Sequence, residues 1–223
     1  MSDERIGGQP VVFLGSTLPV AEARAILDAE FRPPVKRGDI DALLADPPPA
    51  IGIIDGEFFQ SLAISPKEIL RAIERGVAVF GASSMGALRA VELDPYGMTG
   101  VGTVFERYRS GEIDADDEVA VAFSLEEYRP LSEAMINIRI AISAAATAGV
   151  ITDRQSKRLV VMAKRMYFPE RSYASLWRKA EGRLPEATLA ALRAYLAEHQ
   201  PDAKRDDARL MLRRMAERER VAF

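Results

Sequence analysis

The sequence predicts an α/β fold: a parallel sheet with helices on both faces, followed by a C-terminal helical annex. Three observations lead there. Short, unbroken apolar runs occur at "VVFLG" (11–15), "AIGIIDG" (50–56) and "VAVFGAS" (77–83). Each run is followed by helical periodicity, and beyond about Leu125 the strand signal fades while helical patterns continue to the end. Strands that are apolar at every position, rather than at alternate ones, are those covered on both faces, as in parallel sheets.

Taken in order, the first run is rich in β-branched and aromatic residues and leads into Ala21, Ala25 and Leu27 at helical spacing. "DPPPA" (46–50) is a stiff connector into the second run. "SPKEIL" (65–70) then starts a helix, with Ser65 as N-cap, Pro66 at the first helical position and Glu68 completing a capping box. Ile69, Leu70 and Ile73 continue its buried side, and the third run leads into Leu88 and Val91. Later helical patterns cover 132–148, 152–166, 172–181, 185–199 and 203–219, with Leu189, Leu192 and Leu196 as one clear stripe. These patterns divide the chain into an α/β core over residues 1–125 and a helical annex over 126–223.

Composition removes several kinds of chemistry. No cysteine is present, so disulfides, thiolate metal sites, cysteine nucleophiles and persulfide relays are all excluded. The single histidine, His199, sits at a polar helix end and reads as a solvated terminal residue, which also excludes multi-histidine metal motifs. With 30 Lys and Arg against 33 Asp and Glu, the formal charge of −3 provides no global basic field for a nucleic acid. The first 30 residues lack a basic start with a long apolar core, so the expectation is a cytoplasmic chain with no membrane segment. No cofactor is expected; "LGSTLPVAEA" lacks the glycine spacing and the lysine of a P-loop.

In a parallel sheet, ligands gather beyond the carboxyl ends of the strands. That places "GST" (15–17), "DGE" (55–57) and "ASS" (82–84) around one crevice, with Ser16, Thr17 and Glu57 as candidate substrate contacts. Residues 82–86, Ala-Ser-Ser-Met-Gly, fit the small-x-Ser-x-Gly form of a nucleophile elbow, with Ala82 in place of the first glycine. Ser84 or Ser83 would be the nucleophile, and the amide groups of the following helix would hold a developing oxyanion. The same serines also suit plain N-capping, or a division of the two tasks between them. Gly81 and Gly86 would keep the cleft narrow.

Lys67 falls in the first turn of its helix, where the dipole disfavours a positive charge. If also buried, it would supply the neutral amine of a Ser–Lys pair; otherwise it is an ordinary surface lysine. Asp55 would orient Lys67, act as a base toward water, bind a metal or shape a turn. Arg89, five residues after Ser84, either meets a substrate carboxylate or pairs with Glu92. "DADDEVA" (114–120) reads as a solvated acidic turn, with Mg²⁺ binding by Asp116, Asp117 and Glu118 as the alternative.

Several long motifs occur in one order: "VVFLGSTLPVAEARAILDAEFRPPVKRGDI", "AIGIIDGEF", "KEILRAIERGVAVFGASSMGALRAVEL", "YGMTGVGTVFERYRSGEIDADDEVAV" and "YRPLSEAMINIR". Together, over about residues 10–140, they resemble the core of TfuA-like proteins. The resemblance implies partnership with a YcaO-type enzyme that converts a backbone amide into a thioamide. It further implies action on the C-terminal thiocarboxylate of a ThiS-like, ubiquitin-fold sulfur carrier, with hydrolysis releasing sulfide. A non-catalytic adaptor that docks the carrier onto YcaO is the alternative. Without cysteine, sulfur cannot be relayed through a thiol of this chain, whereas acyl transfer to serine or attack by activated water requires none.

Overall fold

The computed structural model describes residues 8–57, 63–124 and 126–221. Its strands are β1 (Val11–Phe13), β2 (Glu30–Arg32), β3 (Ala50–Ile53), β4 (Ala78–Ala82) and β5 (Thr99–Val101). They form one sheet in the order β2-β1-β3-β4-β5, every pair parallel, with Val12 opposite Gly52 and Gly52 opposite Phe80. The three strands at the centre of the order are the three apolar runs, and all their residues but Ala78 are buried. The outer strands carry no such run. β2 is half-exposed and charged, with Glu30 and Arg32 paired at 2.8 Å along the edge, a pattern that discourages pairing with another chain.

Between and after the strands lie α1 (Val20–Ile26), α2 (Asp39–Leu43), α3 (Pro66–Glu74), α4 (Met85–Leu93) and α5 (Thr103–Arg109). α3 starts as its sequence predicts, with Ser65 and Glu68 forming a reciprocal capping box and Pro66 at the first position. Buried Glu68 also accepts from the Gly38 amide at 2.7 Å, tying the start of α2 to that of α3.

The second part of the chain forms α6 (Met135–Thr147), α7 (Asp153–Lys164), α8 (Tyr173–Ala180), α9 (Glu186–Glu198) and α10 (Ala203–Val221). Two compact units result: Met1–Asp114 with Lys204–Phe223, and Ala115–Ala203. The last helix therefore belongs with the sheet, not with the annex to which its sequence assigns it. The reason is its stripe of Ala208, Met211, Leu212 and Met215, which is fully buried in one cluster with Val12, Leu14, Ala23, Leu27, Phe80 and Val101. Burying a Met or Leu side chain contributes roughly 1.5–3 kcal/mol. Arg205 and Arg209 add ion pairs from α10 to Glu22 of α1, at 2.7 and 2.6 Å. Leu125, where the sequence sets the division, lies outside the described residues.

Within Ala115–Ala203, Met135, Ile138, Ile142, Leu159, Leu176, Leu189, Leu192 and Leu196 form a separate apolar core. Among the described residues, no helix is long and apolar enough to cross a membrane.

Candidate functional site

In this strand order β1 and β3 are neighbours whose outgoing connections lead to opposite halves of the sheet. Their carboxyl ends are the position where doubly wound sheets bind ligands. Asp55 lies two residues beyond β3 at this switch point and is 5% exposed. Its Oδ2 accepts from the amides of Gly15 and Thr17, at 2.9 and 3.0 Å. Its Oδ1 accepts from the Thr17 hydroxyl at 2.6 Å. Three donors converging on one buried carboxylate fix the loop after β1, since charge-assisted hydrogen bonds are the strong ones. Thr17 Oγ1 in turn accepts from Ser83 Oγ at 3.4 Å. Ser83, Thr17 and Asp55 thus stand in line, hydroxyl to hydroxyl to carboxylate, across three βα connections.

β4 enters α4 through an elbow. Ser83 has φ +70°, a left-handed conformation that costs a non-glycine residue roughly 1–3 kcal/mol. Ser84 follows at φ −121° and ψ −117°, and its amide donates back to the Ala82 carbonyl at 2.8 Å. Neither serine caps α4 through its side chain: the Ser84 hydroxyl makes no capping bond and the Ser83 hydroxyl turns to Thr17. The elbow pattern centres on Ser84, yet the strained backbone belongs to Ser83. Ser83 is wholly buried, while Ser84 is 4% exposed and its hydroxyl has no partner among the described residues. The Ser84 and Gly86 amides are taken by the Ala82 and Ile54 carbonyls, at 2.8 and 3.4 Å.

Gly81 and Gly86 are buried packing positions rather than cleft walls. A Cβ at Gly86 would lie 1.8 Å from the Ile53 carbonyl oxygen, and one at Gly81 would lie 2.2 Å from the Gly86 oxygen. The first turn of α4 therefore presses directly onto the ends of β3 and β4, which holds the elbow at the carboxyl ends of those strands.

Other expected residues serve different purposes. The Lys67 side chain is exposed at the start of α3 and has no hydrogen bond or ion pair among the described residues, so the burial required for a neutral amine is absent. Asp55 is occupied by Gly15 and Thr17 and does not orient Lys67. Arg89 Nη1 binds both carboxylate oxygens of Glu92 at 2.6 and 2.8 Å, and its Nε donates to the Ile64 carbonyl at 3.1 Å. It braces the chain leading into α3, and the ion-pair alternative describes it. Ser16 and Glu57 lie half-buried beside Thr17 and Asp55.

Only part of the acidic stretch is a solvated turn: Asp114 and Asp116 are exposed, whereas Asp117 and Glu118 are engaged by cationic side chains. Glu118, 2% exposed, accepts from Arg139 at 2.8 and 2.9 Å and from Lys164 at 2.8 Å. Asp117 is bound by Lys164 and by Arg171, the latter at 2.8 Å. Burial pushes both carboxyls up, but these cationic partners outweigh it and hold them below the usual carboxylate range. Arg171 is 1% exposed and also donates to the carbonyls of Asp117, Ala163 and Met166. Among the described residues, no cluster of three or more His, Cys, Asp or Glu side chains could hold a metal.

Sequence reasoning missed two features: Thr17 as the bridge between serine and carboxylate, and the cationic partners of the acidic run. The second had no local signal, because Arg139, Lys164 and Arg171 lie 21 to 54 positions away. The sequence profile of the family described as TfuA-like protein matches residues 55–172, more than half of the chain. No curated protein matches.

Proposed function

The chain belongs to the TfuA-like family, and on that basis we propose that it hydrolyses the C-terminal thiocarboxylate of a ThiS-like sulfur carrier. The sulfide released would supply a YcaO-type partner for backbone thioamidation. The observation that carries the chemistry is the Ser83–Thr17–Asp55 line at the sheet's switch point.

Ser83 Oγ is the nucleophile in this reading. Its backbone is the strained element of the elbow, and its proton has a path through Thr17 Oγ1 toward Asp55 Oδ1. Attack on the thiocarboxylate carbon forms a serine ester and breaks the carbon–sulfur bond, and the proton passed toward Asp55 returns along the same line to the departing sulfur, which leaves as HS⁻. Water then cleaves the ester, giving the carrier carboxylate and restoring the hydroxyl. Apo hydrogen bonds at catalytic sites are often long and tighten when substrate binds, so the 3.4 Å step suits a resting state. Ser84, whose hydroxyl has no partner among the described residues, sits beside the nucleophile as a substrate contact.

The test combines this protein with thiocarboxylated carrier and no YcaO, following sulfide and carrier mass together. Hydrolysis predicts sulfide appearing as the carrier reverts to its carboxylate. Release that requires YcaO would instead support the adaptor reading.

A further inference from the structure

Far along the sequence from Ser83 and Ser84, α7 and α8 border an open groove of about 530 Å³ lined by Lys157, Arg158, Val161, Met162, Arg165, Lys179 and Arg183. Five of these residues are cationic and none is acidic. All five are exposed, and among the described residues none of them forms an ion pair. Within the same unit, cations are paired elsewhere: Arg139, Lys164 and Arg171 with Asp117 and Glu118, and Arg193 with Glu181 at 3.1 Å. The groove therefore gathers positive charge without counter-charge in a chain whose formal net charge is −3.

Its geometry comes from a single face of α7. Arg158, Val161, Met162 and Arg165 follow at i, i+3, i+4 and i+7, so two guanidinium groups flank an apolar strip. Val161 is 48% exposed, one of few large apolar side chains left so open. Lys179, near the end of α8, and Arg183, just beyond it, supply the opposite wall, with Arg183 held by a hydrogen bond to the Lys179 carbonyl.

We propose that this groove docks an acidic peptide segment of a partner protein, its carboxylates on the five cations and an apolar side chain on Val161 and Met162. Charge complementarity selects the sign of the partner. The aliphatic strip selects a peptide over a single-stranded nucleic acid, because the groove has no aromatic ring on which bases would stack. Docking of this kind is independent of the acyl chemistry proposed at the carboxyl ends of the central strands.

The experiment is fluorescence anisotropy of the full chain with a labelled acidic peptide carrying leucines among aspartates and glutamates. The leucine-to-serine version and a single-stranded oligouridylate serve as comparison probes. The expected result is saturable binding that weakens with salt, falls about tenfold or more in Arg158→Glu/Lys179→Glu, and falls severalfold when the leucines become serines. Arg158→Gln/Lys179→Gln, which only removes charge, gives a smaller loss in the same direction and serves if the reversal disturbs folding. No binding, equal binding by these variants, insensitivity to the leucines, or tighter binding of the oligouridylate would each overturn the proposal.

Discussion

Thr17 is the residue on which the site turns, because it donates to Asp55 at 2.6 Å and accepts from Ser83 at 3.4 Å. Thr17→Val keeps the shape but removes the hydroxyl, breaking the line while leaving the Gly15 and Thr17 amides on Asp55. Sulfide release should fall about 10²-fold or more and stability by about 1–3 kcal/mol, with Thr17→Ser restoring most of both. Equal losses in Thr17→Val and Thr17→Ser would point to packing by the methyl group instead. Gly86 makes a purely structural prediction. A Cβ 1.8 Å from the Ile53 oxygen has no room, so Gly86→Ala should destabilise the sheet unit by about 3 kcal/mol or prevent folding, read from urea denaturation. The sequence showed both glycines and both serines, because an elbow is written in adjacent residues. It did not show how they divide their tasks, since Thr17, the partner of Ser83, and Asp55, the partner of Thr17, lie 66 and 28 positions from Ser83 in the chain.

Among elements, α10 illustrates what a one-dimensional pattern leaves open. Its periodicity identified a helix, but a stripe of Ala, Met and Leu fits any apolar surface, and only the folded chain shows it packed with the sheet. One polar contact adds specificity. Asp207, 3% exposed, accepts from the amides of Thr103 and Val104 at 2.8 and 2.7 Å, capping α5 from a helix more than 100 positions away. Burial pushes the Asp207 carboxyl up to about 6, outweighing the downward pull of those two amides. The folded protein thus holds this proton more tightly than the unfolded chain, whose aspartates titrate near about 3.9. The resulting stabilisation is complete below about pH 3.9 and is lost as the pH rises through about 6. The stability gap between wild type and Asp207→Asn should therefore shrink by about 1 kcal/mol between pH 5 and pH 7.5. Urea denaturation of both proteins at the two pH values measures this, and an unchanged gap would contradict the assignment. β2 and β5 escaped sequence reading for a related reason: each is three residues long, and neither has the apolar run that marked β1, β3 and β4.

For the whole molecule, the family match over residues 55–172 draws on both compact units, covering Asp55 and the serine elbow as well as the buried Asp117, Glu118 and Arg171 network. The α/β class was legible because three buried strands each announced themselves as an apolar run. The site was legible as a place rather than as a mechanism. Strand ends converge by topology, so Asp55, Thr17 and Ser83 were expected in one crevice, whereas Lys67 depended on a degree of burial that a helix start does not guarantee. The most direct measurement is sulfide release from a thiocarboxylated ThiS-like carrier by wild type, Ser83→Ala, Ser84→Ala and Lys67→Ala in parallel, without YcaO. The account predicts release by the wild type, loss of about 10³-fold or more in Ser83→Ala, a smaller loss in Ser84→Ala and near-normal activity in Lys67→Ala. Full activity in Ser83→Ala, or dependence on Lys67, would contradict it.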